Sequence, residues 1–444
     1  MSSLAPIAPQ KTFNQRLFLF LQKSPTPYHS VSQMATRLSE AGFERLNEGD
    51  SWGLIKGKRY FVTRGSSSLI AFTYQPELML SNGIRMAGAH TDSPCLKVKP
   101  KPETTRKGFL QVGVEVYGGV LLAPWFDRDL SLAGRVSYLN SAGKVNSVLI
   151  NFEQPIATVP SLAIHLDREV NSSRSINPQL EMPPILCQVP PDGKAEGSDR
   201  FRGILKGQIE KEHPEVKVEK VLDFDLLFYD TQPPALIGLN EDFIASARLD
   251  NLLSCHIALE ALIESDGSMP SLVVFNDHEE VGSMSAEGAQ GPFLHSVLQR
   301  LTGGGEVMTR VITRSLMVSA DNAHGVHPNY VAKHDDNHGP IINKGPVIKI
   351  NANQRYATNS ETSSFYKYLS EKAGEPCQSF VIRTDMLCGS TIGPITASGI
   401  GVKTLDIGVP QFAMHSIREL AGAKDAWSLN RVLKLFFNEV VLPD

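Results

Sequence analysis

One short stretch restricts what this chain can fold into more than any other. Residues 271–275 read Ser-Leu-Val-Val-Phe, an apolar, β-branched run typical of a buried strand, and Glu279 and Glu280 follow after three intervening residues. Adjacent carboxylates at the end of a buried strand cost free energy unless a positive charge meets them. Because neighbouring side chains there point in different directions, one can bind a metal ion while the other reaches a water molecule. Taken alone, the stretch fits a solvated turn equally well.

Other predicted strands also lead to potential metal ligands. The run 84–90 ends in His90, the run 315–320 is followed by Asp321, and the run 403–407 feeds a loop that carries His415. In open α/β sheets, sites form outside the carboxyl ends of the strands. Imidazole and carboxylate ligands without thiolates suit Zn²⁺, Mn²⁺ or Co²⁺. The pattern therefore predicts a metal site at one edge of a sheet.

Two aspartates have a plain and a functional interpretation. Asp92 lies two residues after His90 and can accept the second N–H of a metal-bound imidazole, or it can be a capping residue beside a core histidine. Asp250 opens an apolar helix predicted over 250–265, where it is an ordinary N-cap or a carboxylate shared by two metal ions. The spacing does not decide between these readings.

Two further motifs favour structural roles. His334 and His338 have the i, i+4 spacing of a zinc helix, but they lack the glutamate of H-E-x-x-H and lie in a polar loop. The stretch Gly389-Ser-Thr-Ile-Gly393 places its serine one position too early for a nucleophile elbow, which argues against serine hydrolysis.

The order of predicted strands and helices along the chain indicates two domains. Strands alternate with helices in the first and last parts, which predicts a mainly parallel sheet with helices on both faces. The middle is rich in alternating strand-like runs, with one helix predicted over Asp199–His213. Near the N-terminus, Ser30 is predicted to cap a helix that runs to Ala41.

Composition excludes several classes of protein. The 444 residues carry a net charge of −4, which gives no reason to expect nucleic acid or an anionic membrane as a partner. The five cysteines form no C-x-x-C pair, so a reducing compartment is expected. Residues 1–12 lack the pattern of a signal peptide, and no apolar run reaches the ~20 residues needed to span a bilayer. We therefore expect a cytoplasmic protein.

Taken together, the motifs resemble those of the aspartyl aminopeptidase family of dinuclear metallopeptidases, bacterial branch, from residue 24 to near the C-terminus. The matching stretches, in chain order, are Gly88-Ala-His-Thr-Asp-Ser-Pro-Cys-Leu96, Trp125-Phe-Asp-Arg-Asp-Leu130, Leu162-Ala-Ile-His165, Arg248-Leu-Asp-Asn251, Asp277-His-Glu-Glu-Val-Gly-Ser283, Ser319-Ala-Asp321, His324-Gly-Val-His-Pro-Asn-Tyr330, Gly345-Pro-Val-Ile-Lys349 and Ala413-Met-His-Ser-Ile-Arg-Glu419.

The resemblance implies two divalent metal ions per subunit, most simply Zn²⁺, with Mn²⁺ or Co²⁺ as alternatives. His90, Asp250 and Asp321 would hold one ion. Asp250, Glu280 and His415 would hold the other, so Asp250 would bridge the two.

The resemblance also implies roles for four further residues. Glu279 would be the general base, and Asp92 would orient a metal-binding histidine. His165 would reach the active site of a partner subunit and stabilise the developing oxyanion. Lys349 would lie near the acidic side chain of the substrate.

The implied fold is α/β, a zinc-peptidase-like three-layer sandwich with a mainly parallel sheet and an inserted β-rich dimerisation domain. Residues 1–97 and 239–444 would form the catalytic domain and residues 98–238 the insertion. The implied assembly is a homo-oligomer, a dodecamer built from dimers, that acts on peptides with a free N-terminus.

The implied reaction is metal-dependent hydrolysis of the N-terminal residue, with a preference for Asp or Glu. A broad or neutral-residue aminopeptidase is the alternative, as is a deacylase or carboxypeptidase on the same scaffold. A catalytically idle binding shell is disfavoured because Glu279 and the five metal ligands are all present.

Overall fold

The computed structural model describes residues 9–189 and 200–443, whose contacts divide into two units. The first unit takes the described residues up to Asp92, Pro234–Met414 and those from Glu419 onward. The second unit takes the described residues of Ser93–Pro233 together with His415–Arg418. The domain boundaries that the resemblance implies, and the dimerisation role of the insertion, stay predictions.

The first unit begins with these elements: α1 Pro9–Lys23, α2 Pro27–Glu40, β1 Glu44–Arg45, β2 Arg59–Arg64, β3 Ser68–Thr73, α3 Pro76–Asn82 and β4 Arg85–His90. The second unit contains β5 Cys95–Arg106, β6 Phe109–Tyr117, β7 Leu130–Asn140, β8 Val145–Asn151, α4 Pro178–Glu181, β9 Ile185–Gln188, α5 Arg200–Glu212 and β10 Val218–Asp230. The first unit then continues with β11 Ala235–Ile237, β12 Phe243–Ser246, α6 Leu249–Ile263, β13 Ser271–Asn276, α7 Phe293–Thr302, α8 Gly305–Thr313, β14 Leu316–Ala320, β15 Ala323–His324, β16 Val347–Lys349, α9 Ser360–Ala373, β17 Gln378–Phe380, α10 Ile392–Ile400, β18 Lys403–Gly408, β19 Pro410–Phe412, β20 Glu419–Gly422 and α11 Asp425–Asn438.

A nine-stranded sheet is the centre of the first unit, in the order β1-β2-β3-β13-β4-β14-β18-β16-β17. Its middle strands β13, β4, β14 and β18 are parallel, whereas β2, β3 and β16 make antiparallel pairs. Every residue of β3, β4, β13 and β14 is buried, as expected for strands covered on both faces. A smaller sheet, β11-β12-β20-β19-β15, belongs to the same unit.

Helices cover both faces of the large sheet. On β13, Val273 and Phe275 face one apolar cluster that includes residues of α1, α2, α6, α9 and α11. The alternate residues Leu272 and Val274 face a second cluster that includes residues of α7 and α8. The unit is therefore a helix–sheet–helix sandwich, and the predicted α/β class with a mainly parallel sheet is confirmed.

The second unit is built on a six-stranded sheet, β8-β7-β10-β5-β6-β9, in which every pairing is antiparallel. Phe201, Leu205 and Ile209 of α5 are buried in the apolar core of this unit. The helix predicted over Asp199–His213 is therefore present, although Asp199 lies outside the described residues. Residues 1–8, which belong to the stretch predicted to lack a signal peptide, also lie outside the described residues.

One predicted helix start is wrong, and another is confirmed to within one residue. The side chain of Thr26, not that of Ser30, caps α2, and Pro27 occupies the first turn because its missing N–H needs no partner there. Ser30 instead donates its hydroxyl to the carbonyl oxygen of Pro27 at 2.8 Å. The helix predicted over 250–265 is α6, which is preceded by Arg248 in a left-handed conformation. Asp250 is its second residue and has non-helical dihedral angles, with φ of −83° and ψ of 106°.

Candidate metal centre

His90 is the last residue of β4, which lies between β13 and β14. The side chain of His90 is 1% exposed. Its Nε2 atom lies 3.4 Å from Oδ1 of Asp250 and 3.9 Å from Oδ1 of Asp321. One donor atom from each of these three buried residues lies within 4.8 Å of the other two. The structure thus brings together the three residues predicted for one metal ion.

Hydrogen bonds hold Asp250 in place at the start of α6. Its backbone N–H donates to Oε2 of Glu419 at 3.0 Å. The next residue, Asn251, donates its side-chain amide to the carbonyl oxygen of Ala320 at 2.8 Å, which joins the start of α6 to the end of β14. The peptide bond between Asp250 and Asn251 is cis.

The two adjacent glutamates lie in a tight turn after β13. Glu279–Val281 forms a 3₁₀ turn, and His278 before it is in the left-handed region with φ of 63°. A non-glycine residue adopts that conformation only where its surroundings enforce it, commonly at functional sites. An Oε atom of Glu279 lies 4.0 Å from Nε2 of His90, and a carboxylate oxygen of Glu280 lies within 4.8 Å of one of Asp250.

Asp92 connects His90 to this turn. Its Oδ1 and Oδ2 atoms accept the backbone N–H groups of Glu279 and Glu280, each at 3.1 Å. Nδ1 of His90 lies 3.0 Å from the carbonyl oxygen of Asp92 and 3.4 Å from its Oδ1 atom. Asp92 thus contacts His90 and also holds the acidic turn, which the sequence did not indicate. Its role in orienting a metal-binding histidine stays a prediction.

The charges of the cluster change the pKa values of its members. Burial would lower the pKa of His90, but the carboxylates of Asp250, Asp321 and Asp92 outweigh burial and hold that pKa well above its usual range. Burial raises the pKa of Glu279 to about 7, and the neighbouring aspartates add to the effect. The carboxylates of this cluster therefore form a concentration of negative charge that a bound cation would stabilise. One imidazole among several carboxylates is a donor set that fits Zn²⁺, Mn²⁺ or Co²⁺.

Lys349 is a cation close to this cluster. It ends β16, is 2% exposed, and its Nζ lies 3.5 Å from Oδ2 of Asp321. The same ammonium donates to the carbonyl oxygen of Asn322 at 3.1 Å and lies 5.1 Å from the ring centroid of Tyr356. The ammonium group of Lys349 therefore already forms an ion pair with Asp321. Its predicted contact with the substrate stays a prediction.

Two buried acids near the site were missed by sequence reasoning. Glu419 accepts the N–H of Asp250, and it was noted only as the end of a motif. Asp406 lies in β18, where it accepts the hydroxyl of Thr391 and the N–H of Ala357, each at 2.6 Å. Burial raises the pKa of Asp406. An acid between Leu405 and Ile407 in the predicted strand 403–407 was the available signal.

His415 and His165 belong to the second unit. Nδ1 of His415 lies 3.0 Å from the carbonyl oxygen of Gly119, so this nitrogen donates and Nε2 carries the lone pair that a metal ion requires. His165 is on an exposed loop beside the exposed apolar side chains of Ile164 and Leu166. The predicted roles of both histidines stay predictions. His334 and His338 are not in the metal cluster, and His338 pairs with Asp335 at 2.7 Å.

A parallel sheet that delivers buried imidazole and carboxylate groups to its edge, with a further glutamate beside them, defines a metallohydrolase. Residues 20–437 match the model of the aminopeptidase I zinc metalloprotease family, M18. The chain belongs to this family and is a metal-dependent aminopeptidase.

Relatives and solved structures agree with this membership. A probable M18 family aminopeptidase 2 of Pseudomonas putida (strain GB-1) is 59% identical over 430 residues, which cover 97% of this chain and 99% of that protein. The cryo-EM structure of the Ape4 and Nbr1 complex matches with a TM-score of 0.92 and 40% identity, over 98% of this chain and 87% of that one. The structure of the S. cerevisiae mApe1 dodecamer matches with a TM-score of 0.81 and 29% identity, over 96% of each chain. Among the described residues, no helix is both long and apolar enough to cross a membrane.

Proposed function

We propose that the chain removes the N-terminal residue of peptides and prefers Asp or Glu at that position. The cluster of His90, Asp250 and Asp321 with Glu279 at 4.0 Å carries the hydrolytic part of the proposal. The acidic preference rests on Lys349, a buried cation next to the cluster that a substrate carboxylate could approach. Cytoplasmic location stays a prediction.

Two metal ions per subunit fit the residues present. His90, Asp250 and Asp321 would hold one ion, and Asp250 and Glu280 together with His415 would hold the other. When bound, the ions would polarise the scissile carbonyl and make water a better nucleophile near neutral pH. The lone pair on Nε2 of His415, left by the contact of Nδ1 with Gly119, supports its role as a ligand.

Glu279 is the proton carrier in this proposal. An Oε atom of Glu279 lies 4.0 Å from Nε2 of His90, and a carboxylate beside the cluster can take a proton from water and give it to the leaving amine. Asp92 fixes the backbone from which the Glu279 side chain extends, and it does so through a hydrogen bond of 3.1 Å. A fixed backbone keeps the carboxyl within reach of the reacting atoms.

A homo-oligomer, specifically a dodecamer built from dimers, is part of the proposal. A 29% identical relative was solved as a dodecamer. The loop of the second unit that carries His165 exposes Leu162, Ile164 and Leu166 at 55%, 47% and 74%. Exposed apolar side chains clustered on one loop are typical of protein interfaces. His165 would act in a partner subunit, where it would stabilise the oxyanion.

The rate of N-terminal release from peptides that differ only in their first residue tests the proposal. Asp, Glu, Ala and Leu at that position, each with and without N-acetylation, form the substrate set. We expect the acidic peptides to be cleaved fastest and the acetylated ones not at all. Cleavage of acetylated peptides would instead indicate a deacylase or carboxypeptidase, and equal rates for all free N-termini a broad aminopeptidase.

Lys349→Met, compared with Lys344→Met, tests the origin of the preference. Lys344 is exposed and only five residues away, so it controls for loss of a lysine in this segment. We expect the acidic preference to fall by at least about tenfold in Lys349→Met alone, since a charge-assisted contact is lost. Metal content is measured in parallel because Lys349 also pairs with Asp321. An unchanged preference with full metal content would remove Lys349 from the proposal.

A further inference from the structure

A cavity of about 750 Å³ lies in the first unit, between the loops that follow β16 and β17. We call it the β16–β17 pocket. Residues 351–355 form one wall, and the segment 381–390 supplies most of the other. None of the proposed metal ligands lines it. Cavities of this size hold ligands as large as drug molecules, so a short stretch of peptide fits.

Hydrogen bonds within the chain hold the two walls of the β16–β17 pocket in place. Oδ1 of Asn351 accepts the backbone N–H of Asn353 at 2.9 Å and that of Arg355 at 3.4 Å, which fixes the turn that carries Arg355. The hydroxyl of Ser390 donates to the carbonyl oxygen of Arg355 at 3.4 Å and so joins one wall to the other. A ligand therefore enters a preformed site and does not have to order its walls.

The β16–β17 pocket carries one positive charge that is not neutralised. Arg355 is exposed, and its guanidinium group makes no hydrogen bond or ion pair with any residue that the structure describes. The other arginine of the lining, Arg383, is occupied by Asp385, whose oxygens lie 2.9 and 2.7 Å from its Nε and Nη2 atoms. Among the described residues that line the pocket, none is acidic. The lining therefore favours an anionic group.

The β16–β17 pocket also lies beside the residues next to the metal centre. Ile382 and Cys388 line it, and both pack against the small apolar cluster that contains Tyr356. The ring centroid of Tyr356 lies 5.1 Å from Nζ of Lys349, and this ammonium pairs with Asp321. An extended peptide advances about 3.3 Å per residue. The residues that follow the first one can therefore reach this pocket when the first residue is at the metal centre.

We propose that the β16–β17 pocket binds the part of the peptide substrate that follows its first residue, and that Arg355 binds a carboxylate there. The carboxylate is the side chain of a downstream Asp or Glu, or the C-terminus of a short peptide. A planar guanidinium suits it because two parallel N–H groups can donate to its two oxygens. The inference rests on the proposed aminopeptidase function and adds a second recognition site to the one proposed at Lys349.

Kinetics with peptides that share one first residue, the one cleaved fastest, test the inference. Tetrapeptide amides carry Glu or its neutral isostere Gln at the second, third or fourth position, with alanine elsewhere. The free acids of the all-alanine tripeptide and tetrapeptide are compared with their amides. In at least one pair we expect the carboxylate peptide to have a KM about three- to tenfold lower, because it gains an ion pair at Arg355.

The value of kcat should be similar within each pair, because the contact is far from the reacting bond and is made equally in the ground state and the transition state. A lower KM for the Glu peptides assigns the pocket to a downstream side chain. A lower KM for the free acids assigns it to the C-terminus of short peptides. Equal KM values within every pair would overturn the inference, even if no variant folds.

Variants connect the effect to Arg355. The KM ratio of a pair should fall to about 1 in Arg355→Gln. It should fall only in part in Arg355→Lys, which keeps the charge but not the fork of N–H groups. Arg310→Gln, which changes an exposed arginine of α8 outside the pocket, should keep the wild-type ratio. A wild-type ratio in Arg355→Gln would overturn the role of Arg355.

Failure of the proposed function has a different signature. If no peptide of the set loses its first residue, the aminopeptidase function is wrong and the inference is overturned with it. If the peptides are cleaved with equal KM values, only the inference is overturned. The outcome does not depend on a preference for Asp or Glu at the first position, because all peptides share that residue.

Discussion

Oδ1 of Asp92 accepts the backbone N–H of Glu279 at 3.1 Å. The other oxygen of the same carboxylate accepts the N–H of Glu280, also at 3.1 Å. One side chain at the end of β4 therefore positions the acidic turn at the end of β13. The proposed metal ligand His90 and the proposed proton carrier Glu279 both contact this single residue.

Asp92→Asn should impair both activity and the order of the acidic turn. An asparagine has one acceptor oxygen, so one of the two N–H groups loses its partner, at a cost of about 1–3 kcal/mol. We expect kcat to fall by at least about tenfold and hydrogen exchange at Glu279 or Glu280 to become faster. Asp336→Asn, at an exposed position, is the control. Wild-type exchange and activity in Asp92→Asn would show that the contact is dispensable.

Asp250→Ala should abolish the binding of both metal ions if Asp250 bridges them. His90→Ala should lower the content to about one ion per subunit, because a second set of ligands would stay intact. Metal content after gel filtration, measured by mass spectrometry, gives the stoichiometry. Two ions retained in Asp250→Ala would refute the bridging role.

Acid should destabilise the protein partly through His256. Its pKa is about 4 in the folded protein and about 6.5 when unfolded, so the unfolded state binds more protons between these values. Its contribution is constant above about pH 6.5, and stability is lost as the pH falls from there towards 4. For this buried group the loss is on the order of 2–3 kcal/mol.

The difference in urea unfolding between wild type and His256→Phe at pH 7 and pH 5 isolates this effect. We expect the wild type to lose more stability than the variant over this interval. His295→Phe, which replaces an exposed histidine, is the control variant. Identical slopes in all three proteins would contradict a neutral buried His256.

Gly393→Ala should be strongly destabilising although it lies at the start of a helix. A Cβ atom there would lie 2.3 Å from Oδ1 of the buried Asp406. Overpacking of this kind costs typically about 1–3 kcal/mol. Gly399→Ala, in the same helix with open space around it, should be neutral or stabilising by up to about 1 kcal/mol. Thermal unfolding of the two variants checks the contrast, and equal midpoints would contradict it.

The sequence predicted best where one local signal was sufficient. The strand that ends in His90 and the strand that precedes Asp321 are apolar runs followed by a polar residue, and both lie next to each other in the sheet. Parallel strands place such ends at one edge, so the grouping of the proposed ligands followed from the topology of the sheet. The start of α2 was missed because Pro27, which was taken only as part of the segment that stops α1, is also the first residue of α2.

Long-range partners were beyond reach of the sequence alone. Asp92 and Glu279 are separated by 187 positions, and the contact between Glu419 and Asp250 spans 169. Local spacing carries no information about such pairs. The buried charge of Lys349 and its pairing with Asp321 were likewise invisible, because β16 is only three residues long.

Glu279→Gln, assayed with full metal content confirmed, tests the central claim most directly. Glutamine keeps the size of the side chain but cannot carry the proton. We predict that kcat falls by about 10²- to 10⁴-fold while metal content and folding are unchanged. Activity within a few-fold of wild type, with both metal sites filled, would contradict the account.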